Sequence, residues 1–130
     1  MIELYTPQSL GEWLSFGSAA ITVLLGLYCL IFARATLSLL RLQTKAGSPE
    51  ALSESRGTLA GFYLGTGLTA IIFAQPFVLI ALGAGWAFTA FGRLVSMVVD
   101  RGFTLFNAVS LVFEVLLAAA PLLYVFGYIA

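Results

Sequence analysis

The sequence predicts an all-α integral membrane protein, a four-helix up-down-up-down bundle, and three observations carry that prediction. Hydrophobic residues make up 61% of the 130 positions and charged residues 9%, against roughly 45–50% and about 25% in ordinary globular chains. A soluble domain of this size has too little interior to hide so much apolar surface. The apolar residues fall into four runs, about 13–33, 57–74, 77–99 and 104–128, each near the ~20 residues that a spanning helix needs. Finally, all six basic residues flank the first and third connections and none flanks the second.

The first run follows a leader with Glu3 and no Lys or Arg. A secretory signal needs a basic leader and a shorter apolar core, so this helix is expected to be retained. Thr6 before Pro7 reads as its start, a capping hydroxyl and a first-turn proline, with Tyr5 and Trp13 as interfacial anchors. Arg34, Arg41 and Lys45, interleaved with leucines, are expected to carry the same helix out of the bilayer as far as Ala46-Gly47. Ser48-Pro49-Glu50 supplies the next start: cap, first-position proline and first-turn acid.

The second span then enters near Gly57 and closes before Gln75-Pro76, where proline disfavours helix in the residue ahead of it. The third runs to Val99, and Asp100-Arg101-Gly102 turns the chain into the fourth. Pro121 lies inside that last helix, removes one backbone donor and is expected to kink it. Residues 1–130 form one domain without an internal repeat. The positive-inside rule places both termini outside and the two basic connections in the cytoplasm.

Composition also excludes. Net charge is zero, so nothing points to nucleic acid. There is no histidine, and the lone Cys29 can form neither an intrachain disulfide nor a metal motif. The expectation is no catalytic residue, no cofactor, no metal and no enzyme.

Two features stand out from lipid-facing apolar helix. Gly57, Gly61 and Gly65 recur every fourth residue and form a smooth ridge on the second helix. Small residues at this spacing let membrane helices approach closely, and the ridge reads chiefly as packing within the chain's own bundle, or else as an interface with another chain. The second feature is charge inside the bilayer. Thr89, Arg93, Ser96 and Asp100 share one face of the third helix, and Asn107, Ser110 and Glu114 share one face of the fourth. Side chains lean toward their own helix N-terminus; in consecutive antiparallel helices this brings Arg93 and Glu114 together. A buried ion pair supported by Ser96, Asn107 and Ser110 is expected, as a clamp between the two helices or as a proton or substrate site. Glu50 and Glu54 are candidates for surface pairs with Arg41 or Lys45, and mid-helix Trp86 for the core.

Glu54-x-Arg56-Gly57 opening a glycine-rich span, Gly92-Arg93-Leu94-x-Ser96 with Asp100 and Gly102, and a glutamate in the last span together resemble a family of small bacterial membrane proteins catalogued as a domain of unknown function. The resemblance covers about residues 54–123 and departs at Arg101, which separates Asp100 from Gly102. It implies four spans in a bacterial inner membrane and no particular activity. The functional expectation is a non-catalytic accessory or structural subunit, partnered by the lipid bilayer and by another membrane protein or a second copy. The alternative is a small proton-coupled transporter or channel-like homo-oligomer using the Arg-Glu pair.

Overall fold

The computed structural model describes residues 4–130, so Glu3 lies outside the described residues. They form α1 (Leu10–Ile31), α2 (Ala33–Leu39), α3 (Glu50–Glu54), a π turn (Ser55–Leu59), α4 (Ala60–Phe73), α5 (Pro76–Val99) and α6 (Leu105–Val125), with no strand among them. Three helices, α1, α5 and α6, are long and apolar enough to cross a membrane. Large apolar side chains are exposed around the outside, Phe62, Phe77 and Phe88 each by more than 70%, which only a lipid solvent tolerates over so much of a surface.

The boundaries differ instructively from those expected. Helix α1 starts at Ser9, not at Thr6-Pro7. The Ser9 hydroxyl accepts from the Glu12 backbone N–H at 3.3 Å, and the Glu12 carboxylate accepts from the Ser9 N–H at 3.1 Å. This reciprocal capping box satisfies two end donors at once, which a hydroxyl-proline pair cannot do.

Nor does α1 continue to Lys45. It breaks at Phe32 (φ −111°, ψ 54°), and α2 restarts as a separate piece. Neither glycine nor proline marks the break. The carbonyls it releases are taken from elsewhere: Ser55 Oγ donates to Cys29 at 2.9 Å, and the Arg56 guanidinium donates to Leu30 and Ile31. Both donors sit in the π turn, a widened helical turn of the kind that often marks functional positions. The expected second span, 57–74, is therefore not one uninterrupted α-helix. Its backbone stays helical from Glu50 to Phe73, but its regular part starts only at Ala60. Pro49 caps α3 without a side-chain bond, so Ser48 is not the hydroxyl cap expected there.

Helix α1 packs through small residues: Gly11, Ser15, Ser18, Ala19, Thr22 and Gly26 are all buried. That stripe lets neighbouring helices approach. A Cβ on Gly26 would meet Leu64 at 2.8 Å, and one on Gly67 would meet the Ala19 carbonyl oxygen at 3.0 Å. Matching residues count upward on α1 and downward on α4, so the two run in opposite senses. Across the α5–α6 seam, a Cβ on Gly83 would lie 2.5 Å from Leu122. Between the seams sits the core, Ala19, Ala70, Leu79, Leu82, Trp86, Leu117 and Ala118. Trp86 donates its indole N–H to the Thr22 hydroxyl at 2.9 Å and stacks on Tyr63 with ring centroids 5.4 Å apart.

Pro121 is buried inside α6. Lacking an N–H, it leaves the carbonyl four residues earlier, that of Leu117, without its helical donor. The Ser18 hydroxyl of α1 donates to that carbonyl at 2.7 Å. Replacement of a lost donor by a neighbouring helix is how a membrane interior tolerates proline.

Candidate functional site

The site forms where the last turns of α5 meet the first turns of α6. Three consecutive features fix the turn. Asp100 N–H closes on Ser96 O at 2.9 Å, Gly102 N–H reaches back to Met97 O at 3.1 Å, and Arg101 between them is left-handed (φ 55°). Thr104 then caps α6, accepting from Asn107 N–H at 3.1 Å. A Schellman-type ending normally puts glycine at the left-handed position; here Arg101 fills it and Gly102 follows.

This turn sets the phase in which α5 and α6 face each other. Arg93 Nε donates to both carboxylate oxygens of Glu114 at 2.9 Å, and a terminal nitrogen donates to Oε1 at 2.6 Å. The other terminal nitrogen donates to Asn107 Oδ1 at 2.9 Å, and Asn107 Nδ2 in turn donates to the Gly102 carbonyl at 2.8 Å. A chain of bonds thus runs from the turn to the carboxylate. Glu114 is 4% exposed, so its charge is desolvated and held by Arg93. Fork-like arginine–carboxylate geometry of this kind is among the stronger protein contacts.

The expected polar support is only partly present. Asn107 joins the pair, but Ser96 does not: its hydroxyl donates to Asp100 at 2.7 Å, one helical turn on. The physical reason is axial: at ~1.5 Å per residue, Ser96 and Asp100 share Arg93's face but lie about 4.5 and 10.5 Å farther along α5 toward the turn, away from Glu114. Thr89 bonds back to its own helix at Gly85. Ser110 instead lines a cavity of about 240 Å³ that also borders Glu114 and Arg93. Aromatic rings make up much of its wall: Tyr28, Tyr63, Trp86, Phe106 and Phe113. Arg41 and Arg93 both stand over the Phe106 ring, at 5.2 and 6.0 Å from its centroid. Among the described residues no cluster suited to a metal ion occurs.

Gly57, Gly61 and Gly65 require a correction. They do not pack within the chain: a Cβ on any of them would meet nothing within 4 Å. Together with Thr58, Phe62 and Thr66 they line an open groove on the outer face. Close packing falls to Gly26, Gly67 and Gly83 instead. The four-residue spacing identifies a smooth stripe but not the direction it faces. Glu50 and Glu54 form no ion pair among the described residues, where Arg93–Glu114 is the sole one.

A second polar cluster lies at the opposite end, where the described chain ends meet. Gly11 N–H donates to the Ala130 carbonyl at 2.7 Å, and Tyr124 Oη donates to Glu12 Oε1 at 3.1 Å. The adjacent Glu12 carboxylate holds the proton on the Tyr5 phenol, pushing its pKa up to about 12. The sequence signals for this cluster were the Ser9-x-x-Glu12 spacing and an acid opening an apolar helix.

No curated protein and no solved structure matches the chain. A family profile described as a domain of unknown function, DUF4345, matches residues 11–126, from the second residue of α1 to the residue after α6. Its span takes in both helix seams, the ion pair and the outer groove, and the chain belongs to that family.

Proposed function

We propose that this chain is a four-span, up-down membrane protein of the bacterial inner membrane that acts as a non-catalytic subunit, docking through the Gly57–Gly61–Gly65 groove onto another membrane protein. The fourth span in this reading is the helical run from Glu50 to Phe73, too short in its regular part to stand beside α1, α5 and α6 on length alone. The observation that carries the docking role is the outward direction of the groove, with nothing within 4 Å of any of its three glycine Cβ positions. In lipid, a smooth stripe of this kind gives van der Waals contact that bulkier faces cannot make. Placement of both termini on the periplasmic side is supported by the grouping of basic residues beyond α1 and near the α5–α6 turn, and by the Gly11–Ala130 bond that holds the two ends together.

Co-purification from native membranes tests this. The tagged chain is expected to elute with a larger assembly, and Gly61→Leu to elute alone while remaining folded. Elution of the unaltered chain as a monomer would refute the docking role. The second reading, proton-coupled transport through a homo-oligomer, is favoured by one observation, the cavity bordering Glu114. A Glu114→Gln variant that assembles normally and loses a pH-dependent transport signal would establish it.

A further inference from the structure

The cavity beside the ion pair has a composition that selects a ligand. Its volume of about 240 Å³ exceeds the ~150 Å³ that accommodates a benzene ring and falls short of the ~300–1,000 Å³ of pockets that enclose a whole drug-sized molecule. It therefore suits a head group and the first few carbons of a chain. The remainder has a route out, because Leu39 and Phe113 line the cavity and are themselves 59% and 40% exposed on the outer surface.

The polar wall narrows the chemistry. Arg93 and Glu114 neutralise each other, so an ionic head would have to break a bidentate pair or enter with its own charge unmatched, both unfavourable in a desolvated site. Glu114 Oε1 accepts two bonds from Arg93 and Oε2 accepts one, leaving Oε2 the less occupied acceptor of a group that offers about four lone-pair sites. Arg93 brings five N–H donors, and only three of its nitrogens' bonds are directed at Glu114 with one at Asn107. An uncharged hydroxyl is the simplest single group that both donates to Oε2 and accepts from Arg93 or Ser110.

We propose that this cavity binds the head of a neutral, hydroxyl-bearing amphiphile, with its hydroxyl on Glu114 Oε2, its first carbons against the Tyr63–Trp86 stack and its chain passing between Leu39 and Phe113 into the bilayer. This holds for the docking subunit and for the transporter alike, because it concerns occupancy of the site and not movement through it.

Trp86 lines the cavity and serves as the reporter. The chain has two tryptophans, and Trp13 is removed as Trp13→Phe. The purified protein in phosphatidylcholine nanodiscs is titrated with three long-chain probes brominated near the head: an alcohol, a carboxylate and a quaternary ammonium. The alcohol is expected to quench Trp86 saturably at one molecule per chain and to be displaced by unbrominated alcohol. Glu114→Gln is expected to weaken it by about tenfold or more, the loss of a bond to a charged acceptor. Ser110→Leu, which fills the cavity and keeps both members of the pair, is expected to abolish saturation, and it keeps the test valid should Glu114→Gln fail to fold. Equal, non-saturating quenching by all three probes, the sign of simple partitioning into lipid, would overturn the proposal. So would preference for the carboxylate, which would assign the site to Arg93 and Arg41, or preference for the cation.

Discussion

Helix α4 uses glycine in opposite ways on its two faces. On the inner face Gly67 is pressed so closely against α1 that a Cβ would lie 2.7 Å from Val23. On the outer face Gly61 and Gly65, within six positions of it, meet nothing. The inner glycine is required by the fold of the single chain, and the outer pair is not. Under the proposed docking role, the contrast separates folding from association within one helix.

The largest expected effect is on the inner face. Gly67→Leu forces α1 and α4 apart and should destabilise the chain by about 3 kcal/mol, measured by unfolding in mixed detergent. Gly61→Leu in the same assay should change stability by no more than about 0.5 kcal/mol; equal losses at the two positions would erase the distinction between the faces. Ser18→Ala sharpens the comparison at the next seam. It strips the Leu117 carbonyl of its replacement donor and should cost about 1–2 kcal/mol, the upper range for a bond between membrane helices. Arg101→Gly puts glycine where the backbone asks for it. The left-handed conformation costs a non-glycine residue about 1 kcal/mol, and the looser unfolded chain offsets part of that, so a gain near 0.5 kcal/mol is expected.

The smallest effect lies at the chain ends. Tyr5 has a folded pKa raised to about 12 from an ordinary 10.0. A raised pKa favours the protonated form, so the contribution is fully present below pH 10 and is lost as pH climbs through about 12. Ultraviolet difference titration against Tyr5→Phe should isolate the Tyr5 phenolate as late-ionising, and its ionisation should revert toward 10 in Glu12→Gln.

What the sequence could disclose divides along physical lines. The all-helical class and the apolar segments are one-dimensional properties, readable from composition and run length. The Arg93–Glu114 contact follows from helix phase and side-chain lean, both local. Features needing a second element were harder to see. The break at Phe32 has no glycine or proline; it is tolerated because Ser55 and Arg56, some 25 residues on, serve the freed carbonyls. The facing direction of Gly57, Gly61 and Gly65 depends on which side of α4 meets α1, and residue spacing carries no such information. One signal in the chain was outweighed by a weaker one, and another was followed only halfway. Ser9-x-x-Glu12 is a stronger helix start than Thr6-Pro7, and a proline at position 121 already implied an orphaned carbonyl at position 117.

That orphan has a consequence for descent. Proline 121 and serine 18 stand 103 positions apart in the chain, yet they answer a single requirement, so natural variation should treat them as one character. Relatives that replace the imino acid regain the amide hydrogen and are freed from needing an alcohol on the first helix; relatives that keep it should keep serine or threonine there. Such paired inheritance would place the first and last helices side by side from sequences alone, with no coordinates consulted.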